Sequence, residues 1–327
     1  MINAHALEIL DFPRVRQALA RHVTSPLGRY KALALVPLED LGQIQERLDQ
    51  VEELAAAGRI TLSGVRDVLP LVQRARDSQL LQGAELVQIL GALEAATELR
   101  AKLLPDSDKF PALARLAARI GEHSLLARQM AQQLDSGGAV KDDATPKLRR
   151  LRERLAPMRG RIYRALEEAM GRYAAMLQDR LVTVRRDRYV IPIKAEHAGR
   201  LGGIVLDASD SGATVYMEPA EVVPLNNELA RLKIEEEAEV QRILAELTGR
   251  VALEPGLDQT LDALGDYDLV GARWLLAQEW RCSRPQFGAQ GYQFKAARHP
   301  LIANAVPNTL DLTRNRLLVI TGPNMGG

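Results

Sequence analysis

The chain has 327 residues, of which 46% are hydrophobic, 26% charged and 4% aromatic, with a formal net charge of +1. Scarce aromatics beside abundant Leu, Ala, Arg, Glu and Gln favour long helices with narrow apolar stripes over a β-rich body. Cys282 is the only cysteine, no signal-peptide pattern opens the chain and no apolar run approaches the ~20 residues of a membrane span. We therefore expect a soluble, cytoplasmic protein with no membrane partner and no intrachain disulfide.

The near-neutral total hides an uneven distribution of charge. Residues 141–200 contain 16 Lys or Arg against 8 Asp or Glu, whereas residues 207–247 contain 3 against 10. A basic stretch followed by an acidic one indicates one charged face rather than a uniformly basic protein.

The first 135 residues or so read as a string of helices. Leu7, Leu10, Val15 and Leu19 recur at helical spacing, and prolines punctuate the segment at intervals that mark helix boundaries. No catalytic spacing occurs here. We take residues 1–140 as a helical domain.

A long helix is predicted to begin at Thr145-Pro146, because proline is tolerated at the first helical position. Its length is roughly 45 Å at 1.5 Å per residue, and Pro157 is expected to kink or break it. The apolar positions step by three or four along one seam: Leu151, Leu155, Met158, Ile162, Leu166, Met170, Tyr173, Leu177 and Leu181.

The period then changes to short β-branched runs between residues 181 and 218, separated by turn-like segments at Arg186-Asp187, 198–200 and 209–212. These runs predict a small antiparallel β-unit. A second long helix follows, with its stripe running from Leu225 to Leu247. Two such helices would pair as an antiparallel coiled coil over residues 141–250 and hold the β-unit away from the body; the alternative is a helical hairpin whose β-unit packs on another domain.

Glu235, Glu236 and Glu237 stand together on this second helix. Adjacent helical positions point around the axis rather than converge, so a solvated face is the better interpretation than a metal site. We predict no metal ligands in the chain.

Another helix is expected from Leu257 to Trp280, within a segment 251–284, and residues 285–327 read as short strands and turns. The last strand, Arg316–Thr321, leads into Gly322, Pro323, Asn324, Met325, Gly326 and Gly327. A strand followed by a glycine-rich turn supplies the first six positions of a phosphate-binding loop, G-x-x-x-x-G-K-[ST], without its Lys, hydroxyl residue and helix. On these residues alone, a simple turn is an equal alternative.

The sequence of this loop resembles the phosphate loop of the MutS family, in which Pro-Asn-Met between glycines is characteristic. Two upstream pieces agree in order and spacing: Ala297-Arg-His-Pro-Leu301 resembles the motif that opens the MutS ATPase domain, and Val306-Pro-Asn308 resembles the segment lying against the adenine. The resemblance implies nucleotide binding by Val306, Asn308 and residues 322–327, with ATP and Mg²⁺ as the cofactors of the full-length protein.

Further stretches resemble the second bacterial MutS branch, which lacks the mismatch-recognition domain and restrains recombination. They are Leu7-Glu-Ile-Leu-Asp-Phe12, Arg188–Glu196, Ser209–Pro219 and Leu225-Asn-Asn-Glu228. The implied fold class is mainly α: a helical core and lever domain, antiparallel coiled-coil arms carrying a β clamp at 181–218, and the first strands of an α/β P-loop ATPase domain. The resemblance identifies the chain as an N-terminal fragment of a dimeric ATPase that is usually also a nuclease. We expect the fragment itself neither to hydrolyse ATP nor to cut nucleic acid.

The clamp is expected to grip a nucleic-acid backbone. Long cationic side chains lie in or beside its turns, where they can reach phosphates, and no aromatic row interleaves them for base stacking. The predicted contacts are Arg185, Arg186, Arg188, Lys194, His197 and Arg200. The leading hypothesis is that the partner is branched or duplex DNA, bound without sequence preference, and that binding suppresses homologous recombination. The alternative partner is the ribosome with its rRNA, because the family is also implicated in splitting collided ribosomes. A passive helical scaffold is the third hypothesis.

Overall fold

The computed structural model describes residues 4–288, 291–313 and 317–319. Within them helices dominate and the strands form small antiparallel sheets, so the predicted mainly α class is confirmed. In chain order the elements are α1 (Ala4–Ile9), α2 (Phe12–Ala20), α3 (Pro26–Leu33), α4 (Leu41–Ala57), α5 (Leu69–Arg76), α6 (Gly83–Leu103), α7 (Pro111–Ala117), α8 (Ser124–Gln133), α9 (Pro146–Arg172), β1 (Thr183–Arg185), β2 (Arg188–Lys194), β3 (Gly203–Ala208), β4 (Thr214–Pro219), α10 (Val223–Leu253), α11 (Leu257–Glu279), β5 (Gln293–Ala297) and β6 (Asn308–Asp311).

The chain divides into two compact units. Unit 1 takes its described residues from Met1–Leu69, Gly91–Ser124 and Pro255–Gly327, and unit 2 consists of Pro70–Leu90 and Leu125–Glu254. Helix α6 contributes to both units. None of the helices in the described residues is long and apolar enough to cross a membrane.

Unit 1 is built around α11, which packs against α2, α3, α4 and α7. Asp268 of α11 is 1% exposed and accepts hydrogen bonds from the backbone N–H groups of Thr24 (2.9 Å) and Ser25 (2.7 Å) and from both hydroxyls. The Ser25 hydroxyl in turn caps α3 by accepting from the Gly28 N–H. A Cβ at Gly28 would lie 2.5 Å from the Asp268 carboxylate, so glycine is what lets α3 approach α11 this closely.

Unit 2 contains the two long helices. Thr145 caps α9 by accepting from the Leu148 N–H at 3.1 Å, which confirms the predicted start at Thr145-Pro146. The helix runs through Pro157 without interruption. Ion pairs and hydrogen bonds then show that α9 and α10 run antiparallel, because partners on α10 come earlier as the α9 residue comes later: Thr145 with Glu239, Arg152 with Glu236 and Arg154 with Glu228. Their facing apolar side chains share one core cluster with the sheet.

Helix α9 ends at Arg172, about two and a half turns before the end of the predicted seam at Leu181, so the predicted extent was wrong. A short 3₁₀ helix, Ala174–Met176, follows. Leu177 then bridges Ile193 of β2, and the Gln178 N–H donates to the Pro192 carbonyl at 3.1 Å. The apolar side chain of Leu177 is therefore buried against the sheet rather than along a helix.

The sheet of unit 2 has the strand order β1-β2-β4-β3, with every neighbouring pair antiparallel. Arg185 pairs with Arg188, which leaves Arg186 and Asp187 as a two-residue turn with φ of 48° and 61°. Positive φ at both positions is the geometry whose twist matches a hairpin. The predicted small antiparallel unit and its turn at Arg186-Asp187 are thus confirmed.

Strands β5 and β6 pair as an exposed antiparallel hairpin in unit 1. Of the predicted strand Arg316–Thr321, only residues 317–319 are described, and they form neither helix nor strand. The predicted phosphate loop, Gly322–Gly327, lies outside the described residues.

Candidate nucleic-acid interface

Arg186 is an exposed cation at the tip of a hairpin in unit 2. It occupies the first position of the β1–β2 turn beside Asp187, and both residues are exposed. Within the described part of the chain its guanidinium has no ion pair or hydrogen bond. A long cationic side chain at the tip of a hairpin is free to reach a phosphate oxygen.

Arg185 is held in a fixed orientation. Its guanidinium lies 4.0 Å from the ring centroid of Tyr216, a cation–π contact across the sheet. Its Nε lies 3.4 Å from an Asp207 oxygen, and one Nη donates to the Thr183 hydroxyl at 3.2 Å. The same Nη also donates to the Val184 carbonyl at 3.0 Å. No hydrogen bond or ion pair in the described structure uses the other Nη, so Arg185 can add one contact from a defined position.

Arg188 is engaged inside the protein. Its Nε and Nη2 both lie 2.7 Å from the two oxygens of Glu218, whose side chain is fully buried, and Nη2 also donates to Asn227 Oδ1 at 2.8 Å. A bidentate arginine–carboxylate pair is geometrically specific and strong. Of the predicted phosphate contacts, Arg188 is the one that the geometry favours least.

Sequence reasoning missed Asn226, which completes this arrangement. Its Nδ2 donates to Glu218 at 2.8 Å and to the Tyr189 carbonyl at 3.0 Å, while its Oδ1 accepts from the Tyr189 N–H at 3.2 Å. The side chain is 2% exposed. The sequence contains a signal for this residue, because Asn226 directly follows Leu225, where the apolar stripe of the second long helix begins.

Lys194 ends β2, and His197 and Arg200 lie in the 3₁₀ helix Ala195–Arg200 that follows it. Lys194 is half-buried and Arg200 exposed, and neither has an ion pair within the described residues. His197 places Nε2 3.3 Å from Glu196, while its Nδ1 is buried and finds no partner among the described atoms. Lys194 and Arg200 are therefore available to an anion, whereas His197 has one ring nitrogen beside Glu196 and the other buried, which favours it less as a phosphate contact.

The structure separates these cations into two groups rather than one. β2 spans seven residues, and at about 3.3 Å per residue Arg188 and Lys194 lie roughly 20 Å apart. Arg185 and Arg186 are at the first end, and Lys194 and Arg200 follow the second. The two ends can contact phosphates one or more groove widths apart on a duplex.

The glutamates 235–237 have separate partners. Glu236 accepts from Arg152 of α9 at 2.7 Å, Glu235 lies 3.7 Å from Arg231, and Glu237 accepts from Gln241. Glu236 is thus part of the helix pairing rather than only a solvated side chain. Among the described residues no three His, Cys, Asp or Glu side chains come together as a metal site.

Two of the predicted nucleotide contacts are described. Val306 is 74% exposed, and Asn308 begins β6 and donates from its Nδ2 to the Val306 carbonyl at 3.2 Å. An exposed apolar side chain offers a surface on which a purine ring can pack. The other predicted contacts, residues 322–327, lie outside the described residues.

Comparison with known proteins found no matching family model. Curated relatives align with nearly the whole chain. A protein named endonuclease MutS2 from Thermus thermophilus is 43% identical over 98% of this chain and 42% of its own length. Proteins of the same name from Geobacillus thermodenitrificans and Bacillus velezensis are 37% and 35% identical, each over 98% of this chain and 43% of theirs. The chain therefore spans about two fifths of the length of these relatives.

Proposed function

Since the chain belongs to the MutS2 family, we propose that it is the part of a MutS-type ATPase that grips a nucleic-acid backbone through the sheet of unit 2. The observation that carries this proposal is the pair of exposed cationic groups at the two ends of β2. Arg186 at one end and Arg200 at the other have no carboxylate partner in the described structure. The relatives are named endonucleases, a class of enzyme that acts on nucleic acid.

The proposed contact is with phosphates and not with bases. Arg185 and Arg186 stand at a tight turn, where guanidinium groups can form charge-assisted hydrogen bonds to phosphate oxygens. The buried set of Arg188, Glu218 and Asn226 supports them by fixing the start of β2 to α10. Such binding depends steeply on salt and little on sequence.

We further propose that the target is branched DNA, that the whole protein couples binding to ATP and Mg²⁺ as a homodimer, and that it restrains recombination. Val306 and Asn308 would lie against the adenine, and residues 322–327 would contribute backbone N–H groups to the phosphates. Hydrolysis of bound ATP would supply the free energy for changing how tightly the protein holds nucleic acid. The choice of DNA as target rests on the family resemblance together with the exposed cations, and the proposals on ATP, Mg²⁺ and the homodimer rest on the family resemblance.

The test is fluorescence anisotropy with a labelled four-way DNA junction over a salt series, with linear duplex and purified ribosomes as competitors. We expect junction binding that resists duplex competition. The variant R186Q/K194Q/R200Q should lose about tenfold or more in affinity and reduce the slope of log K against log salt by about 2 to 3. R188Q should be judged separately, because it also disturbs the fold.

Two outcomes would change the assignment. If ribosomes compete far better than junction or duplex, the nucleic acid that is gripped is ribosomal and the recombination role fails. If the chain binds none of the three at low salt, it acts as a helical scaffold and the proposed function is wrong.

A further inference from the structure

Helix α9 is the most basic element in the described structure. Its sequence, PKLRRLRERLAPMRGRIYRALEEAMGR, contains nine Lys or Arg and three Glu. A helix of this kind usually neutralises its charge through partners four residues away or on a neighbouring helix. The cations of α9 that have no such partner therefore indicate where the helix could bind an external anion.

Five of the nine cations have carboxylate partners. They are Lys147 with Glu239, Arg149 with Glu153, Arg152 with Asp142 and Glu236, Arg154 with Glu228, and Arg172 with Glu221. The acidic residues of α10 thus take up much of the charge of α9. Arg150, Arg159, Arg161 and Arg164 remain exposed, with no ion pair or hydrogen bond to any described residue.

Three of these unpaired arginines share one face of the helix. At 100° per residue, Arg150, Arg161 and Arg164 fall within about 60° of one another, and Arg154 lies about 20° beyond Arg161. The buried side chains of α9 point elsewhere, centred on Leu151, Ile162 and Leu166. We call Arg150, Arg154, Arg161 and Arg164 the α9 arginine stripe. It extends about 21 Å along the helix at 1.5 Å per residue.

We propose that the α9 arginine stripe is a second contact with the phosphodiester backbone of a duplex, separate from the cations of the sheet. This inference rests on the proposed function, since it adds a binding surface to the same grip. A duplex carries one charge per about 1.7 Å of its axis, and its major groove is about 12 Å wide. A 21 Å row of guanidinium groups is long enough to reach phosphates on both sides of such a groove.

A polyanion fits this face better than a protein partner does. Protein interfaces are centred on buried aromatic or aliphatic anchors. Among the residues of α9, only Tyr163 is a large hydrophobic side chain with substantial exposure, and it packs edge-on against Tyr189 away from the stripe. Exposed arginines without an apolar centre are suited to phosphates, which they can bind in a bidentate manner.

The experiment compares two triple variants of the 327-residue chain that remove the same charge from unit 2. The test variant is R150Q/R161Q/R164Q. The control variant, R149Q/R231Q/R250Q, removes three exposed arginines that lie off the stripe, each paired with a glutamate four residues away. Binding of labelled 20-base-pair DNA and RNA duplexes is measured by anisotropy at several salt concentrations, with circular dichroism to confirm the fold.

We expect the test variant to lose about tenfold or more in affinity and about 2 to 3 in the salt slope, and the control variant to change little. R150K/R161K/R164K keeps the charge and should retain the slope, which separates loss of phosphate contacts from misfolding. Equal losses in the test and control variants would mean a general charge effect and would overturn the inference.

The outcomes distinguish this inference from the proposed function. If wild-type protein binds and only the sheet variant R186Q/K194Q/R200Q weakens binding, the stripe proposal fails while the function stands. If wild-type protein binds neither duplex, both fail. A stripe-dependent preference for the RNA or the DNA duplex identifies which backbone the helix contacts.

Discussion

Glu239 lies on α10 with its side chain 2% exposed. Its carboxylate accepts hydrogen bonds from Arg242 Nη2 at 2.8 Å and Thr145 Oγ1 at 3.0 Å, and lies 3.0 Å from Lys147 Nζ. These donors, with Arg242 the strongest, lower the pKa of Glu239 from 4.5 to about 2. One buried carboxylate therefore joins the capping residue of α9 to the middle of α10.

The lowered pKa predicts a specific dependence of stability on pH. Because Glu239 is more acidic in the folded state, its contribution is complete above about pH 5 and is lost as the pH falls toward 2. E239Q should melt at a lower temperature than wild type at pH 7, and the difference should shrink between pH 5 and 2. Thermal unfolding followed by circular dichroism tests this, and a difference that stays constant down to pH 2 would contradict it.

Arg188 and Glu218 show how a residue can be predicted for one role and placed in another. R188M leaves the buried Glu218 carboxylate without its main partner, and breaking a buried pair in this way costs about 3 kcal/mol. R188M/E218M, which removes both charges, should recover part of that loss. Urea unfolding gives the free energies. R186Q is the matched control, because replacing an exposed arginine with no described partner should change the free energy of unfolding by less than about 0.5 kcal/mol. If R188M also costs less than that, the pair of Arg188 and Glu218 does not contribute to stability.

At the scale of elements, α9 contains a proline that the helix tolerates. Pro157 is exposed and eleven residues into a continuous helix, although an interior proline removes one backbone hydrogen bond and crowds the carbonyl four residues before it. Packing of the apolar face against α10 and the sheet offsets this cost. The sequence raises the question of a kink or a break at Pro157, and the structure shows α9 as one continuous helix across this residue.

P157A should therefore raise the free energy of unfolding by about 1 kcal/mol or more, because it restores a backbone donor. A156G, at the neighbouring exposed position, should lower it by about 1 kcal/mol. Both are measured by urea unfolding. Destabilisation by P157A would mean that the proline is required for the path of α9.

The end of α9 could not be predicted from periodicity. Tyr173 and Leu177 continue the three-and-four spacing, so the pattern extends the helix beyond Arg172. The backbone of Leu177 instead bridges Ile193 in β2. The spacing of apolar residues shows that a side chain is buried, but it does not show whether a helix or a sheet buries it.

At the scale of the molecule, the uneven charge distribution has a structural explanation in unit 2. The basic stretch contains α9 and the acidic stretch contains most of α10, and antiparallel pairing brings their charges together at Arg152–Glu236 and Arg154–Glu228. Of the unpaired arginines of α9, Arg150, Arg161 and Arg164 lie on a face away from its buried side chains. Net charge alone gives no indication of this surface, because it is cancelled within the pair of helices.

Unit 1 depends in a comparable way on Asp268, which no sequence motif marks. D268N removes part of an acceptor set shared by two backbone N–H groups and two hydroxyls, at an expected cost of about 2 to 3 kcal/mol. Hydrogen exchange should become faster in α3 and α11, with Thr24 and Ser25 first, while β1–β4 stay protected. The exposed Asp108 provides the control D108N, and faster exchange throughout both units would contradict a local role for Asp268.

The sequence by itself determined the kinds of element and their order, because apolar spacing, capping residues and turns act within a few residues of one another. Thr145-Pro146, the strands between 183 and 219 and the turn at Arg186-Asp187 were all predictable for that reason. Only the tertiary structure decided which cations are free. Arg186 and Arg188 are alike in sequence, but Arg188 meets Glu218 thirty residues away and Arg186 meets no described partner. Ion pairing and burial depend on residues brought together by folding, and local sequence does not contain that information.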